Sequence, residues 1–424
     1  MERKSFFQPI TIGNLEIKNR LALLPLCLNY NLKGGLVSNQ TKAFFAGRAK
    51  DGLGLIIAGT LTVSNEVYKR RVGSGFMMMD HTAKPGLYEL AEMVHMFGCK
   101  IFMQFSYGMG HQISKKDQWP DPSADPITAS PIETRLMPPG RTMKADTWHK
   151  RMGTEFVISN VEDMMTREAT IAEIEEIENT QAEATVALKK LGFDGVELHF
   201  GHGYFGSGFL SPRVNRRTDQ YGGSPEKRMT FLKNCYNKAR QKIGKDFVIG
   251  MRISIEEHVP GGQTIEDTKF ICKEMEKLGL NYVSFTNGCH DAFEYYQPDE
   301  DGTMIDGASE IKKGLKIPVI TPSIHDPDLA ERAVTEGKTD MVGLARAHFA
   351  DPHWITKAAE GKKPVRCIKC GLCWEHIVFG LPIRCTVNPE LGFEQYLPDY
   401  LPERPFKHMV PPHLRPSHKS GRMG

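Results

Sequence analysis

The sequence predicts a closed (β/α)8 barrel with a small cysteine-rich extension at its C-terminal end. Three observations predict it. Eight short aliphatic or β-branched runs recur between residue 20 and about residue 345, each is followed by a stretch long enough for a helix, and four cysteines crowd into 19 residues beyond the last run. Eight alternating units over about 330 residues suit a closed parallel barrel better than an open sheet.

In chain order the predicted strands cover residues 21–25, 53–58, 101–105, 195–199, 248–253, 282–286, 319–321 and 341–344. The helix after the third run shows why the intervening segments read as helical. Thr170 and Glu173 have the spacing of a capping box, and Ile171, Ile174, Ile177, Ala184 and Leu188 then form an apolar stripe. Two regions fall outside this rhythm. From His111 to about residue 161 there are six prolines by Gly140 and no clean period, which predicts a long ordered loop over one barrel face. Beyond Cys385 the chain is rich in Pro, Arg, Lys and His, too broken for a domain of its own. The expected organisation is a barrel over residues 1–355, a cysteine segment over 356–395 and a basic tail over 396–424.

Composition narrows the function classes. With 54 basic and 51 acidic residues the net charge is only +3, so no field suited to gripping nucleic acid is present. No apolar run reaches the ~18 residues a membrane span needs, and the N-terminus lacks the apolar stretch of a secretion signal, so a cytoplasmic protein is expected. Five of the nine cysteines are scattered while four are clustered, a distribution that suits a metal site in a reducing compartment better than a disulfide framework.

Cys367, Cys370, Cys373 and Cys385 form C-x2-C-x2-C-x11-C. Three thiolates on one tight loop, with a fourth returning from nearby, can hold the corners of a [4Fe-4S] cube. Zinc is the alternative, although zinc knuckles more often use two separated CxxC pairs or include histidine. Because a cluster passes single electrons, a two-electron cofactor is expected beside it, and flavin is suited to that task.

After the fourth run, His199-Phe-Gly-His202-Gly-Tyr204 leaves a strand and enters a loop, which puts its polar side chains at the C-terminal mouth where barrels do chemistry. Gly201 to Gly206 also fit GxGxxG, but Ser211-Pro212 and Gly222-Gly223 follow where a dinucleotide site needs a continuing helix. His199 and His202 could ligate a metal, yet no third ligand is evident. The pair is equally able to donate hydrogen bonds to an oxygen that gains charge as hydride arrives, and Tyr204 offers a phenol proton for carbon. Each is also compatible with a satisfied core polar group.

Those residues carry a family likeness. Asn19-Arg20-Leu-Ala-Leu-Leu-Pro25-Leu26-Cys27, Gln104, the His199–Tyr204 segment, Phe209-Leu-Ser-Pro-Arg-Val-Asn215-Arg-Arg-Thr-Asp219-Gln-Tyr-Gly-Gly223-Ser, Arg252 and Gly343-Leu-Ala-Arg346 together resemble the Old Yellow Enzyme family over residues 5 to 390. With the cysteine motif the chain resembles the iron–sulfur branch, which includes 2,4-dienoyl-CoA reductase, 2-enoate reductases, bile-acid and flavonoid ene-reductases, and trimethylamine dehydrogenase. The resemblance implies FMN as cofactor. Pro25, Leu26 and Cys27 would line one side of its ring, Gly59 would admit it, Gln104 would bond its pyrimidine edge and Arg252 would face its N1. Arg346 and the backbone near Ser323 and Ala345 would take its phosphate.

Tyr204 falls where these reductases keep a tyrosine, and His290 matches a second acid of dienoyl-CoA reductase, while His199 and His202 match the carbonyl-anchoring pair of simpler ene-reductases. Tyr107 stands where relatives have a histidine. The resemblance implies reduction of an activated C=C bond in a small-molecule enone, enoate or enoyl thioester, with a proton from Tyr204 assisted by His290. An amine dehydrogenase or demethylase is the second expectation, because Cys27 occupies the place of a cysteine that trimethylamine dehydrogenase bonds to flavin; an electron-transfer subunit is the third. Long members of the branch continue into a second flavin domain and an NAD(P)H domain that this sequence does not show, which implies electrons delivered through the cluster by a separate flavoprotein or ferredoxin-like partner. Self-association into a homo-oligomer is left open.

Overall fold

The computed structural model describes residues 4–32, 34–63, 77, 79–112, 126–134, 165–378 and 380–397. Most of the long loop expected after the third strand, and the tail from residue 398, lie outside the described residues. Eight parallel strands close into a barrel in chain order: β1 (Leu21–Leu23), β2 (Leu55–Thr62), β3 (Lys100–Ser106), β4 (Gly195–Phe200), β5 (Val248–Ser254), β6 (Tyr282–Thr286), β7 (Val319–Thr321) and β8 (Met341–Leu344). β8 returns to β1 with Val342 opposite Leu21 and Leu344 opposite Leu23, which completes the ring. All eight predicted strands are present.

The strands read as apolar runs because both faces are buried. Alternate residues divide between two cores. Leu21, Leu23, Ile56, Ala58, Ile101, Met103, Val196 and Leu198 point outward to the helices, whereas Ala22, Leu55, Ile57, Phe102, Val248, Tyr282, Ile320 and Met341 fill the barrel. Ile12 and Ile17, on a hairpin of Ile10–Ile12 with Leu15–Ile17, join the inner set and plug the end opposite the mouth. Each aliphatic side chain buried this way contributes roughly 1.5–3 kcal/mol. Gly250 is required by the inner layer, since a Cβ there would collide with the Tyr282 ring.

Two residues further along the same inward positions, the barrel interior turns polar. Phe102 gives way to Gln104, Gly195 to Glu197 and Gly250 to Arg252, all of them buried. The period of two that builds the apolar layer therefore aims these groups into the upper barrel.

Local signals set the helices. The capping box at Thr170 is formed, with the Thr170 hydroxyl accepting from Glu173 N and the Glu173 carboxylate accepting from Thr170 N, and the helix runs Ile171–Lys190. Ile174, Ile177, Ala184 and Leu188 are buried, but Ile171 is exposed, because the first turn has not yet reached the barrel wall. Within the GxGxxG segment a helix does begin, Phe205–Leu210, and it stops at Ser211 after six residues.

The cysteine segment is seamed to the barrel. Arg48, on the helix Asn39–Lys50, meets Glu394 at 2.6 Å with both side chains buried. Tyr30 donates to the Ile383 carbonyl at 2.8 Å, Asn388 to the Phe349 carbonyl at 2.8 Å, and Ile383 and Leu391 enter the main core.

Candidate active site

The floor of the mouth is a buried polar cluster. Gln104 donates from Nε2 to Glu197 Oε1 at 2.7 Å, and the Tyr282 hydroxyl donates to Oε2 at 3.0 Å. Burial pushes the Glu197 carboxyl up to about 7, against the opposing pull of Arg252 and those hydrogen bonds. Burial also lowers Arg252, which Glu197 partly offsets. The Arg252 Nε and Nη1 atoms are buried without a hydrogen-bond partner among the described residues. An unsatisfied guanidinium edge is costly in a folded protein, so this one suits an acceptor that the described residues do not supply.

Pro25, Leu26, Arg252, Ser323, Ala345 and Arg346 line one cavity, so the ring-lining and phosphate-side residues named from sequence converge. Gly59 packs directly on Pro25, where a Cβ would sit 2.6 Å from the Pro25 Cβ, and it, Gln104 and Cys27 do not line this cavity. Cys27 Sγ lies 3.7 Å from Asn29 Oδ1, and burial pushes its thiol up to about 12. It is a neutral thiol at physiological pH.

Above this floor stand the four residues expected to act on substrate. His202 adopts φ +69°, a left-handed conformation that a non-glycine residue holds only when its surroundings over-determine it. Here Ser254 Oγ accepts from His202 N at 3.2 Å and donates to the Gly288 carbonyl at 3.0 Å. Gly203, also at positive φ, leaves room for the Gln112 side chain. His202 Nε2 faces Thr286 Oγ1 at 2.5 Å and its Nδ1 faces His199 Nε2 at 3.4 Å, while His199 Nδ1 has no partner among the described residues. Burial, with the Arg252 charge, takes His199 down to about 3; burial, with His199 and Arg252, holds His202 well below the usual histidine range. Both rings are neutral at neutral pH and donate through one N–H each.

Tyr204 Oη lies 3.4 Å from His290 Nε2. Burial, and after it the neighbouring Tyr296 phenol, keeps Tyr204 well above the ordinary tyrosine value, so it stays protonated. The turn that carries His290 is clamped through Asp291. Arg213 donates to Asp291 Oδ2 at 2.8 Å, and His111 Nε2 approaches the same atom at 3.4 Å. Burial disfavours ionisation of Asp291, but hydrogen bonds from His111 and Arg213 outweigh it and hold the carboxyl well below the carboxylate range. Tyr107 lies in the aromatic core beside Phe200 and Phe231, behind the site.

Cys367, Cys370, Cys373 and Cys385 line a second cavity, of about 350 Å³. No group of three or more His, Cys, Asp or Glu side chains among the described residues converges on a single-ion site. The two cavities share Gln297, Arg346, Phe349, Cys373 and Trp374 as a common wall. Arg346 donates to the Pro298 carbonyl at 3.1 Å and reaches both sides of that wall.

The sequence reading missed Thr286, Asp291, Tyr296 and Trp374. Thr286 had a usable signal, since it ends a barrel strand. Tyr296 lies on a four-residue helical turn, Phe293–Tyr296, within a loop without period, and Trp374 was overshadowed by the adjacent Cys373.

A closed barrel with a buried guanidinium lining the cavity at its mouth, beside a phenol–imidazole pair, is the setting of a flavin-binding oxidoreductase. The chain matches the NADH:flavin oxidoreductase / NADH oxidase family over residues 5–364, and it belongs to that family, whose flavin is FMN. It is 36% identical over 398 residues to the NADH oxidase of Thermoanaerobacter brockii, covering 92% of this chain and 56% of that protein. It is 30% identical over 420 residues to the cinnamate reductase of Clostridium sporogenes, covering 92% and 58%. The structure of 2-naphthoyl-CoA reductase with 2-naphthoyl-CoA matches with a TM-score of 0.79 at 26% identity, over 92% of this chain and 58% of that one. The chain thus spans just over half the length of these relatives.

Proposed function

We propose that this flavin oxidoreductase is an ene-reductase that holds FMN and a [4Fe-4S] cluster and saturates an activated C=C bond in an enone, enoate or enoyl thioester. The observation that carries the reading is the Tyr204–His290 pair, 3.4 Å apart, beside the neutral His199–His202 pair and the Arg252-lined cavity.

Bound FMN supplies hydride to the β-carbon of the alkene. The remaining work falls to the chain. His199 and His202, neutral and buried, offer N–H groups to the substrate carbonyl and stabilise the charge that develops on it. His202 is held in place for this by Thr286. Tyr204 delivers a proton to the α-carbon; a phenol held this far toward its protonated form gives up its proton only to a strongly basic centre, which the enolate carbon is. His290 re-protonates Tyr204. One hydride and one proton add across the double bond, and nothing leaves.

The residues fit both groups. Arg252 would face the electron-rich edge of the flavin ring with Nε and Nη1, which have no partner among the described residues, Gln104 and Pro25 would border the ring, and Ser323, Ala345 and Arg346 would face the phosphate. Four thiols lining one cavity, three of them on one tight loop, are the donor set a [4Fe-4S] cube would use. The cinnamate and naphthoyl-CoA reductases among the similar proteins support a conjugated acyl substrate. Anaerobic turnover of an enone, enoate and enoyl-thioester panel with reduced viologen tests it. The expected product is the saturated compound; failure of every alkene to oxidise the reduced flavin would overturn it.

A further inference from the structure

The chain between β6 and β7 carries a stretch, residues 297–302, that touches both cavities, since Gln297 lines both and Asp299 the cysteine one. On one side this stretch meets the cysteine loop. Arg366 Nη2 donates to Asp301 Oδ2 at 3.1 Å, Lys369 Nζ lies 3.1 Å from Asp301 Oδ1, and Lys369 also donates to the Asp299 carbonyl. Arg366 immediately precedes Cys367, and Lys369, at φ +56°, immediately precedes Cys370. On the other side it meets the turn after β7. Asp301 Oδ1 lies 3.0 Å from His325 Nδ1, and Gly302 N donates to the Ser323 carbonyl at 2.7 Å. Ser323 holds φ +61°, a left-handed conformation that a serine keeps only where its surroundings fix it. His325 is fixed as well, because Trp354 donates from Nε1 to its carbonyl at 2.8 Å. Ser323 and His325 line the flavin-side cavity, and Lys369 with the four cysteines lines the other. Burial disfavours ionisation of Asp301, but His325 and Lys369 outweigh it and hold the carboxyl well below the carboxylate range.

We infer that Asp301 is a positioning residue that couples the two cavities, so that a cluster in the cysteine cavity tightens FMN in the other. This rests on the two-cofactor reading above and adds how the two sites influence each other. Ligation of Cys367 and Cys370 fixes the backbone that carries Arg366 and Lys369. Those side chains then hold Asp301, and Asp301 with Gly302 holds the Ser323–His325 turn in the shape that faces the phosphate. Without the cluster the cysteine loop loses an anchor, and the turn has more conformations to give up when FMN binds, which weakens binding. Coupling of this kind is reciprocal, so bound FMN favours the cluster by the same factor.

The test is a cycle of FMN dissociation constants, read by fluorescence titration of flavin-free protein prepared without oxygen. Wild type and Asp301→Asn are each measured with the cluster and with it removed by Cys370→Ala. In the wild-type background the cluster is expected to tighten FMN by about fivefold or more. Asp301→Asn should reduce that ratio to about twofold or less, and Asp301→Glu, which keeps the charge, should restore part of it. A wild-type ratio of about one overturns the inference. So does an Asp301→Asn protein that binds FMN more weakly by the same factor with and without the cluster, because a merely structural role would give that result. If Asp301→Asn fails to fold, the double variant Arg366→Gln/Lys369→Gln cuts the same tie from the cysteine side and is read in the same way. Iron and acid-labile sulfide are assayed on each preparation. Protein that holds both cofactors without coupling overturns the inference and leaves the two-cofactor reading standing, whereas wild type that holds no cluster overturns both.

Discussion

Tyr204 Oη and His290 Nε2 stand 3.4 Å apart, although 86 residues separate them and each sits on a different mouth loop. If Tyr204 is the proton donor, Tyr204→Phe should lower the rate of alkene reduction by about 10²–10⁴-fold while flavin affinity and flavin reduction stay as in wild type. Stopped-flow measurement of the two half-reactions separates these. His290→Gln should have a smaller effect, because Tyr204 still carries its own proton for a first turnover.

The barrel was legible because a strand buried on both faces is largely apolar, as the lower parts of the runs at 55–62 and 248–254 are. The site residues that could be read, such as Arg252 and His199, are polar intrusions near the ends of those runs, where burial of a charge or imidazole needs a reason. Tyr296 and Trp374 could not be read the same way. An aromatic in a loop is as compatible with packing as with a pocket wall, and only the tertiary meeting of the β6 loop with the cysteine segment tells them apart. Asp291 was hidden for a related reason, since its partners His111 and Arg213 come from two other loops.

Buried histidines give the fold a pH signature. His199 and His348 are pulled down to about 3 and His202 well below its ordinary range, all chiefly by burial, so the unfolded chain binds these protons more readily than the folded one. Stability should therefore rise with pH across the window from about 3 to about 6.5 and lose up to about 2 kcal/mol per histidine by about pH 5. Urea titrations at mildly acidic and neutral pH measure this. His348→Gln, remote from the mouth, should flatten the acid slope; an unchanged slope would place the cause elsewhere.

Arg252 should matter to flavin affinity more than to folding. Its Nε and Nη1 have no partner among the described residues, so Arg252→Met removes donors available to a ligand and relieves a buried charge, although Glu197 then loses a favourable neighbour. The expected result is a flavin dissociation constant weaker by at least about tenfold, with Arg252→Lys intermediate, since a point charge cannot reproduce the planar fork. Fluorescence titration of the apoprotein with FMN is the measurement.

The Arg48–Glu394 bridge holds the cysteine segment to the barrel at 2.6 Å with both partners buried. Glu394→Ala leaves an uncompensated guanidinium and should cost about 3–5 kcal/mol. Replacing both residues with apolar ones of similar volume should recover much of that. Equal destabilisation of the single and double variants in chemical denaturation would show that the pair contributes nothing as a pair.

The proposed chemistry needs two redox groups residing in one chain. Protein isolated without oxygen and assayed for iron, acid-labile sulfide, zinc and flavin tests this directly. The result expected is about four iron and four sulfide with about one FMN per chain, the iron lost in a Cys370→Ala variant that still binds FMN. Zinc in place of iron, or protein that takes up no flavin, would contradict it.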